Sequence, residues 1–262
     1  MTANLIKAKG AAFKLHQEFG VRRPVDIRVE DIAMEKDVFV VETELGGAEA
    51  RLIRDGKTGI VRINASIPEP GRKRFAASHE LGHWQMHEKG GFLCTAADMA
   101  DYQKSPREAE ANTFAAEFLM PTFLFRPLCA NKAASLELVE ELKIRFNTTL
   151  TATALRMTEE ITGDCWVLLT KNRVVDRCRK GQNCSFPLYV ATGHALHPES
   201  VAYHCRPNPT GIIPRAEKVP FEAWFEHDGT HGFDLDDWVV WEQSMQLGNY
   251  PTILTILQVS ER

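Results

Sequence analysis

The chain has 262 residues, of which 44% are hydrophobic and 25% charged, which suits one large or two modest globular domains, each with its own core. Its 31 lysines and arginines against 35 aspartates and glutamates leave a net charge of −4, so no global field favours nucleic acid. Six cysteines with no CxxC pair exclude a disulfide scaffold and point to reduced core thiols.

The opening segment, Met1 to Leu15, carries Lys7, Lys9 and Lys14 among its apolar residues, which is not the pattern of a signal peptide. No stretch approaches the roughly 18 apolar residues of a membrane span. A cytoplasmic chain without a membrane partner is expected.

Asn4 to Phe19 alternates apolar and charged positions at helical spacing until Gly20 and Pro24 stop it. Three strand-like runs follow, Asp37–Val41, Ala48–Ile53 and Thr58–Ile63, separated by Gly46-Gly47 and by Asp55-Gly56-Lys57. That turn chemistry predicts a small antiparallel meander. A helix is predicted from Arg72 to about His87, ended by Gly90-Gly91. Ser105-Pro106-Arg107-Glu108 reads as the start of another, with Pro121 stopping it after Met120. Further helices are expected near Leu136–Phe146 and Thr149–Ile161. Beyond Gly163 the texture turns strand-like, as in Cys165–Thr170 and Trp238–Trp241, and a domain boundary is placed there.

His79-Glu80-Leu81-Gly82-His83 is an HExxH motif. Residues four apart share a helix face, so two imidazoles can meet one zinc ion. Glu80 starts from the same turn and can reach a metal-bound water. Zinc lowers that water's pKa to ~7, and a carboxylate can take its proton as it attacks a peptide carbonyl. The bland alternative is two satisfied histidines on an ordinary amphipathic helix.

A catalytic zinc needs a third protein ligand and one open position. His87 continues the series of four, but on a straight helix it stands about 12 Å from His79 along the axis. It is therefore read as a partly exposed surface residue. The helix Arg107–Met120 offers a better candidate. Its apolar stripe is Ala111, Phe114, Ala115, Phe118 and Leu119, and Glu108 falls inside it. Glu110 and Glu117 lie roughly 110–130° from its centre. A carboxylate aimed at a core is costly unless paired or bound to metal. The competing role for Glu108 is a capping box with Ser105.

Together, Phe75-Ala76-Ala77-Ser78-His79-Glu80-Leu81-Gly82-His83 and Glu108-Ala109-Glu110-Ala111-Asn112-Thr113-Phe114-Ala115-Ala116-Glu117-Phe118-Leu119-Met120-Pro121 resemble the ImmA/IrrE regulatory metallopeptidases. The resemblance covers roughly residues 1–160. It implies an HExxH zincin-like peptidase domain with His79, His83 and Glu108 on zinc, or on manganese, and Glu80 as catalytic base. Tyr102, in the loop before Glu108, is a candidate to stabilise the transition state.

Phe146 to Met157 resembles the end of a helix-turn-helix. Leu136–Thr162 carries three cations (Lys143, Arg145, Arg156) against five glutamates, a net of −2. That is too little positive charge to neutralise several phosphates, so direct DNA binding is not expected. Residues from about 164 resemble, more weakly, the GAF-like sensor domain of IrrE-type proteins, with Val219–Phe225 and Pro251–Val259 as its clearest features. Cys178, Cys184, His194, His197, His204 and Cys205 match no common zinc spacing. Trp224, Trp238 and Trp241 are either pocket lining or strand core.

The reading is an α+β chain in three parts. Residues 1–130 form the metallopeptidase domain with its small antiparallel sheet, and 131–163 a helix-turn-helix-like segment. Residues 164–262 form a GAF-like α/β or β-rich sensor domain. The resemblance implies limited proteolysis of a transcriptional repressor, a helix-turn-helix protein, in a stress or mobile-element response. The rivals are a DNA-binding regulator with a structural metal, a broad-specificity peptidase and a metal-binding scaffold without turnover.

Overall fold

The computed structural model describes residues 2–87, 92–94, 105–184, 186, 190–207, 211–225, 237–248 and 250–261. Tyr102 lies outside them. By contact the chain divides into two compact units, Met1–Phe125 with Lys143–Thr149, and Arg126–Leu142 with Leu150–Arg262.

In the first unit, α1 (Leu5–Glu18) opens where Asn4 accepts a hydrogen bond from the Lys7 N–H at 2.9 Å, a side-chain cap. Its buried His16 stacks on Phe118 with ring centroids 5.4 Å apart. A short α2 (Val29–Met34) leads into the strands β1 (Val38–Thr43), β2 (Ala50–Asp55) and β3 (Thr58–Asn64), and a fourth strand, β4, spans Phe92–Cys94.

The sheet order is β1-β3-β2-β4, and β1 runs parallel to β3. The expected antiparallel meander is thus corrected to a mixed sheet with β3 inside. The β2–β3 hairpin closes as its turn residues require, with Gly56 in the left-handed region at φ 59°. The chain between β1 and β2 does not make a second hairpin. Asn64 holds it instead, donating from Nδ2 to the carbonyls of Leu45 (3.0 Å) and Ala48 (2.9 Å). With that loop clamped over the end of β3, β1 returns along the free edge of β3.

α3 (Pro70–Met86) begins with proline at its first turn and lies against β2 and β3. α4 (Pro106–Leu119) packs between α1 and α3 and buries Ala111, Phe114, Ala115, Phe118 and Leu119. Two further helices, α5 (Thr122–Cys129) and α6 (Leu136–Phe146), follow before α7 (Leu150–Glu160). Asn147, at φ 51°, turns the chain between α6 and α7, a left-handed position that asparagine tolerates.

The second unit holds a five-stranded sheet made of β5 (Asp164–Lys171), β6 (Val174–Lys180), β7 (Glu217–Val219), β8 (Trp238–Gln246) and β9 (Thr252–Glu261). A four-residue helix, α8 (Val201–His204), lies between β6 and β7 in sequence. The order is β6-β5-β9-β8-β7, with every pair antiparallel. Trp166, Leu168, Phe186, Trp224, Phe225, Val240 and Leu257 form its core. The ring centroids of Trp166 and Phe225 stand 5.0 Å apart. Trp224 is therefore core; its indole donates to the buried Glu242 at 2.6 Å. Trp241 is exposed. Burial pushes the Cys165 and Cys178 thiols up to about 12, which leaves them inert at neutral pH.

Candidate metal centre

Helix α3 buries Ser78, His79, Glu80, Leu81, Gly82 and His83 in succession. Five of the six are polar or small, and an ordinary core helix would not bury such a run. Gly82 allows it, because α3 there touches Phe114 of α4.

The two histidines of the motif project one turn apart, with Nε2 of His79 and Nε2 of His83 separated by 3.1 Å. Glu108 reaches both from the first turn of α4. Its Oε2 lies 3.1 Å from His79 Nε2, and its Oε1 lies 3.3 Å from His83 Nε2. Zinc bonds of ~2.0–2.2 Å at tetrahedral angles would space ligand atoms roughly 3.3–3.6 Å apart. The two nitrogens, and the carboxylate oxygen nearest each, stand close to that spacing. Among the described residues His79, His83 and Glu108 are the only metal-sized group; Cys178, Cys184, His194, His197, His204 and Cys205 do not assemble into one.

Electrostatics suit the same reading. Burial lowers the His83 pKa to about 4, although the Glu108 carboxylate beside it pulls the other way. The ring is therefore neutral at physiological pH, as a ligand must be. Burial alone would raise the Glu108 pKa, but the His79 and His83 rings facing it outweigh this and hold the carboxyl well below the usual range. Glu80, fully buried on the same helix, adds a carboxyl beside this triangle in sequence.

Ser105 caps α4 by accepting from the Glu108 N–H at 3.2 Å. Glu108 thus takes part in the cap through its backbone, while its carboxylate faces the histidines. Glu117 is buried and accepts from the N–H and hydroxyl of Thr122, each at 2.8 Å, so it holds the start of α5.

His87 requires a correction. It is 7% exposed, not a surface residue. α3 ends at Met86, and His87 adopts an extended conformation at φ −121°, ψ 99°. The chain has left the helix axis, and the straight-helix extrapolation does not apply. The ring folds back so that its Nδ1 lies 2.9 Å from His83 Nδ1, with its Nε2 2.9 Å from Glu110 Oε2.

Sequence reasoning also missed Asn112 and Arg54. Asn112 Oδ1 lies 2.9 Å from His79 Nδ1; the signal was its place one helical turn after Glu108, on the same side of α4. Arg54, on β2, donates from one guanidinium nitrogen to the carbonyls of His83, Trp84 and His87 at 2.9, 3.1 and 2.7 Å. Its guanidinium also stacks over Trp84 at 4.3 Å. No local pattern marks such a pairing.

Residues 33–158 match the family model Peptidase_M78, described as the IrrE N-terminal-like domain. This segment belongs to that family. The IrrE N-terminal-like domain thus contains β1–β4, α3 and α4, with the histidine–glutamate triangle, and extends through most of α7. The family is one of metallopeptidases. A Mycobacterium tuberculosis transcriptional regulator has a similar fold, with a TM-score of 0.59 at 17% identity, covering 97% of this chain and 76% of that one. Among curated proteins no match is found. No helix among the described residues is long and apolar enough to cross a membrane.

Proposed function

We propose that this protein is a metal-dependent endopeptidase that makes site-specific cuts in a transcriptional repressor, a helix-turn-helix protein, in a stress or mobile-element response. The observation that carries the reading is the triangle of His79 Nε2, His83 Nε2 and the Glu108 carboxylate, spaced at 3.1 to 3.3 Å. These three residues hold zinc, with manganese as the alternative. The metal would supply Lewis-acid polarisation of a water and of the scissile carbonyl. Glu80 takes the proton of the attacking water onto its carboxylate. Tyr102 stands in this reading as the residue that steadies the transition state.

The chain's own features support a protein substrate. β1 pairs with β3 alone among the described strands, and it exposes Phe39 and Val41 on one face. An extended segment can add to its other edge by main-chain hydrogen bonds. The DNA-binding rival meets a physical obstacle. Arg156, the one arginine of α7, is buried and paired with Glu159 and Glu160. The neighbouring fold of a transcriptional regulator supports a regulatory role. The three-part division at 130 and 163, the GAF-like character of residues 164–262 and a cytoplasmic location belong to the same proposal. The antiparallel sheet of the second unit is compatible with a sensor domain.

The test pairs metal content with cleavage. The purified chain should hold about one zinc or manganese ion. It should cut a helix-turn-helix repressor encoded beside its own gene at one or very few bonds. Glu80→Gln should keep the metal and lose cleavage by a factor of order 10² or more. Rapid digestion of casein would favour a broad peptidase, and undiminished cleavage by Glu80→Gln would remove Glu80 from the mechanism.

A further inference from the structure

We propose that Glu110, His87 and Asn112 are positioning residues that fix the tautomers of both histidine ligands, so that each presents a bare Nε2 to the metal. The proposal rests on the metal reading above and goes beyond it by assigning three residues outside the ligand set.

A neutral imidazole carries one proton on two nitrogens. A ligand that binds through Nε2 must carry its proton on Nδ1, and that N–H then needs an acceptor. For His79 the acceptor is the side-chain carbonyl oxygen of Asn112, 2.9 Å from Nδ1. Both residues are fully buried, so water does not compete for the bond.

For His83 the acceptor is another imidazole. His83 Nδ1 can donate to His87 Nδ1, 2.9 Å away, only if His87 carries its own proton on Nε2. That proton meets Glu110 Oε2 at 2.9 Å. An ionised carboxylate only accepts, so the whole chain has one direction. Glu110 accepts from His87 Nε2, His87 Nδ1 accepts from His83 Nδ1, and His83 Nε2 is left bare. Both oxygens of Glu110 are committed as acceptors, since Oε1 also takes the Asn4 N–H at 2.7 Å.

Glutamine at position 110 would keep the shape and remove the direction. Its carbonyl can replace Oε1, which accepts from the Asn4 N–H at 2.7 Å. Its amide nitrogen would face His87 and donate. His87 would then favour a proton on Nδ1, and His83 would have to place its own proton on Nε2, where the metal belongs. Metal binding would have to reverse that arrangement first.

The experiment uses the full chain with zinc as the probe, in competition with a chromophoric chelator. Glu110→Gln should lower zinc affinity by roughly 10–100-fold, the range for such outer partners, at an unchanged far-ultraviolet circular dichroism spectrum. Asn112→Asp, which keeps an acceptor oxygen, should retain affinity within a few-fold, and Asn112→Leu should lose it. A second readout needs no metal. Nitrogen-15 shifts of His87 at pH 8 in the chelator-stripped chain should report a proton on Nε2, displaced toward Nδ1 by Glu110→Gln. Wild-type zinc affinity in Glu110→Gln would overturn the proposal, as would an unmoved His87 tautomer. A wild-type chain that binds no zinc would sink the metal reading instead, and the His87 tautomer would still decide the positioning role.

Discussion

Gly82 and Phe114 are in contact where α3 meets α4. A Cβ built on Gly82 would lie 2.9 Å from Cδ1 of Phe114 and 3.1 Å from its Cγ. That closeness lets Glu108 reach the two histidines, since it sets how near the two helices run. Phe114 is itself fully buried and stacked on Phe118 at 5.6 Å, so the ring has little room to give way.

Gly82→Ala should therefore destabilise the chain although alanine is the better helix former by ~1 kcal/mol. Overpacking of a tight core costs ~1–3 kcal/mol, which leaves a net loss of about 1 kcal/mol, and Gly82→Val should lose more. Zinc affinity should fall with it, because the helices move apart at the site. Chemical denaturation together with a chelator competition checks both. A substitution that raises stability and leaves affinity alone would show that the contact does not set the helix spacing.

Arg54 should matter for stability more than a half-exposed arginine ordinarily does. Its guanidinium serves carbonyls at the end of α3 and lies flat over Trp84. Arg54→Ala removes a charged donor from these groups, at a cost of ~1–3 kcal/mol. Arg54→Lys should recover only part, because an ammonium cannot stack or fork in the same way. Thermal melts of the metal-free chain would read the order wild type, then lysine, then alanine. Equal melting points for all three would remove Arg54 as an anchor of the motif helix.

The metal-free chain should lose stability on acidification. Burial holds the folded-state pKa of His83 at about 4, whereas the unfolded chain titrates near 6.5. Between those values the unfolded state binds the extra proton, so stability falls as pH drops from about 6.5 toward 4. Glu108 acts in the same direction further down. Its carboxyl is held low in the folded state, so the stability it contributes above its unfolded pKa is lost as pH falls below it. Denaturant titrations at pH 8, 6 and 5 on chelator-stripped protein should show the decline, and His83→Asn should flatten its upper part. A profile flat across that range in the wild type would contradict the burial argument.

The spacing of His79 and His83 is visible in five residues, because an α-helix has a fixed pitch and the motif needs no partner to be read. The inward aim of Glu108 is visible as well, since the apolar stripe of α4 defines which side is core. The β2–β3 hairpin follows from Asp55-Gly56, where the turn needs a residue comfortable at positive φ. Each of these depends on neighbours within a few residues.

His87 illustrates the limit. Its ring position depends on where α3 stops, and nothing local marks Met86 as the last helical residue. Its partner Glu110 lies on another helix, 23 residues away in sequence. The partner of β1 was equally hidden: parallel pairing joins strands that the chain separates, and the choice between β2 and β3 rests on how Asn64 ties down the loop.

The sequence by itself determined the motif, the two helices that carry it, the core-facing side of α4 and the texture of the second unit. Periodicity and turn chemistry are local, and they act before the chain is packed. Only the tertiary structure decided that Asn112 meets His79, that His87 and Glu110 back His83, and that Arg54 binds the end of α3. Apart from the His83–His87 contact, four residues apart, those hydrogen bonds join groups 23 to 33 residues apart. They exist because packing first buries the polar atoms and then leaves each with the nearest available partner.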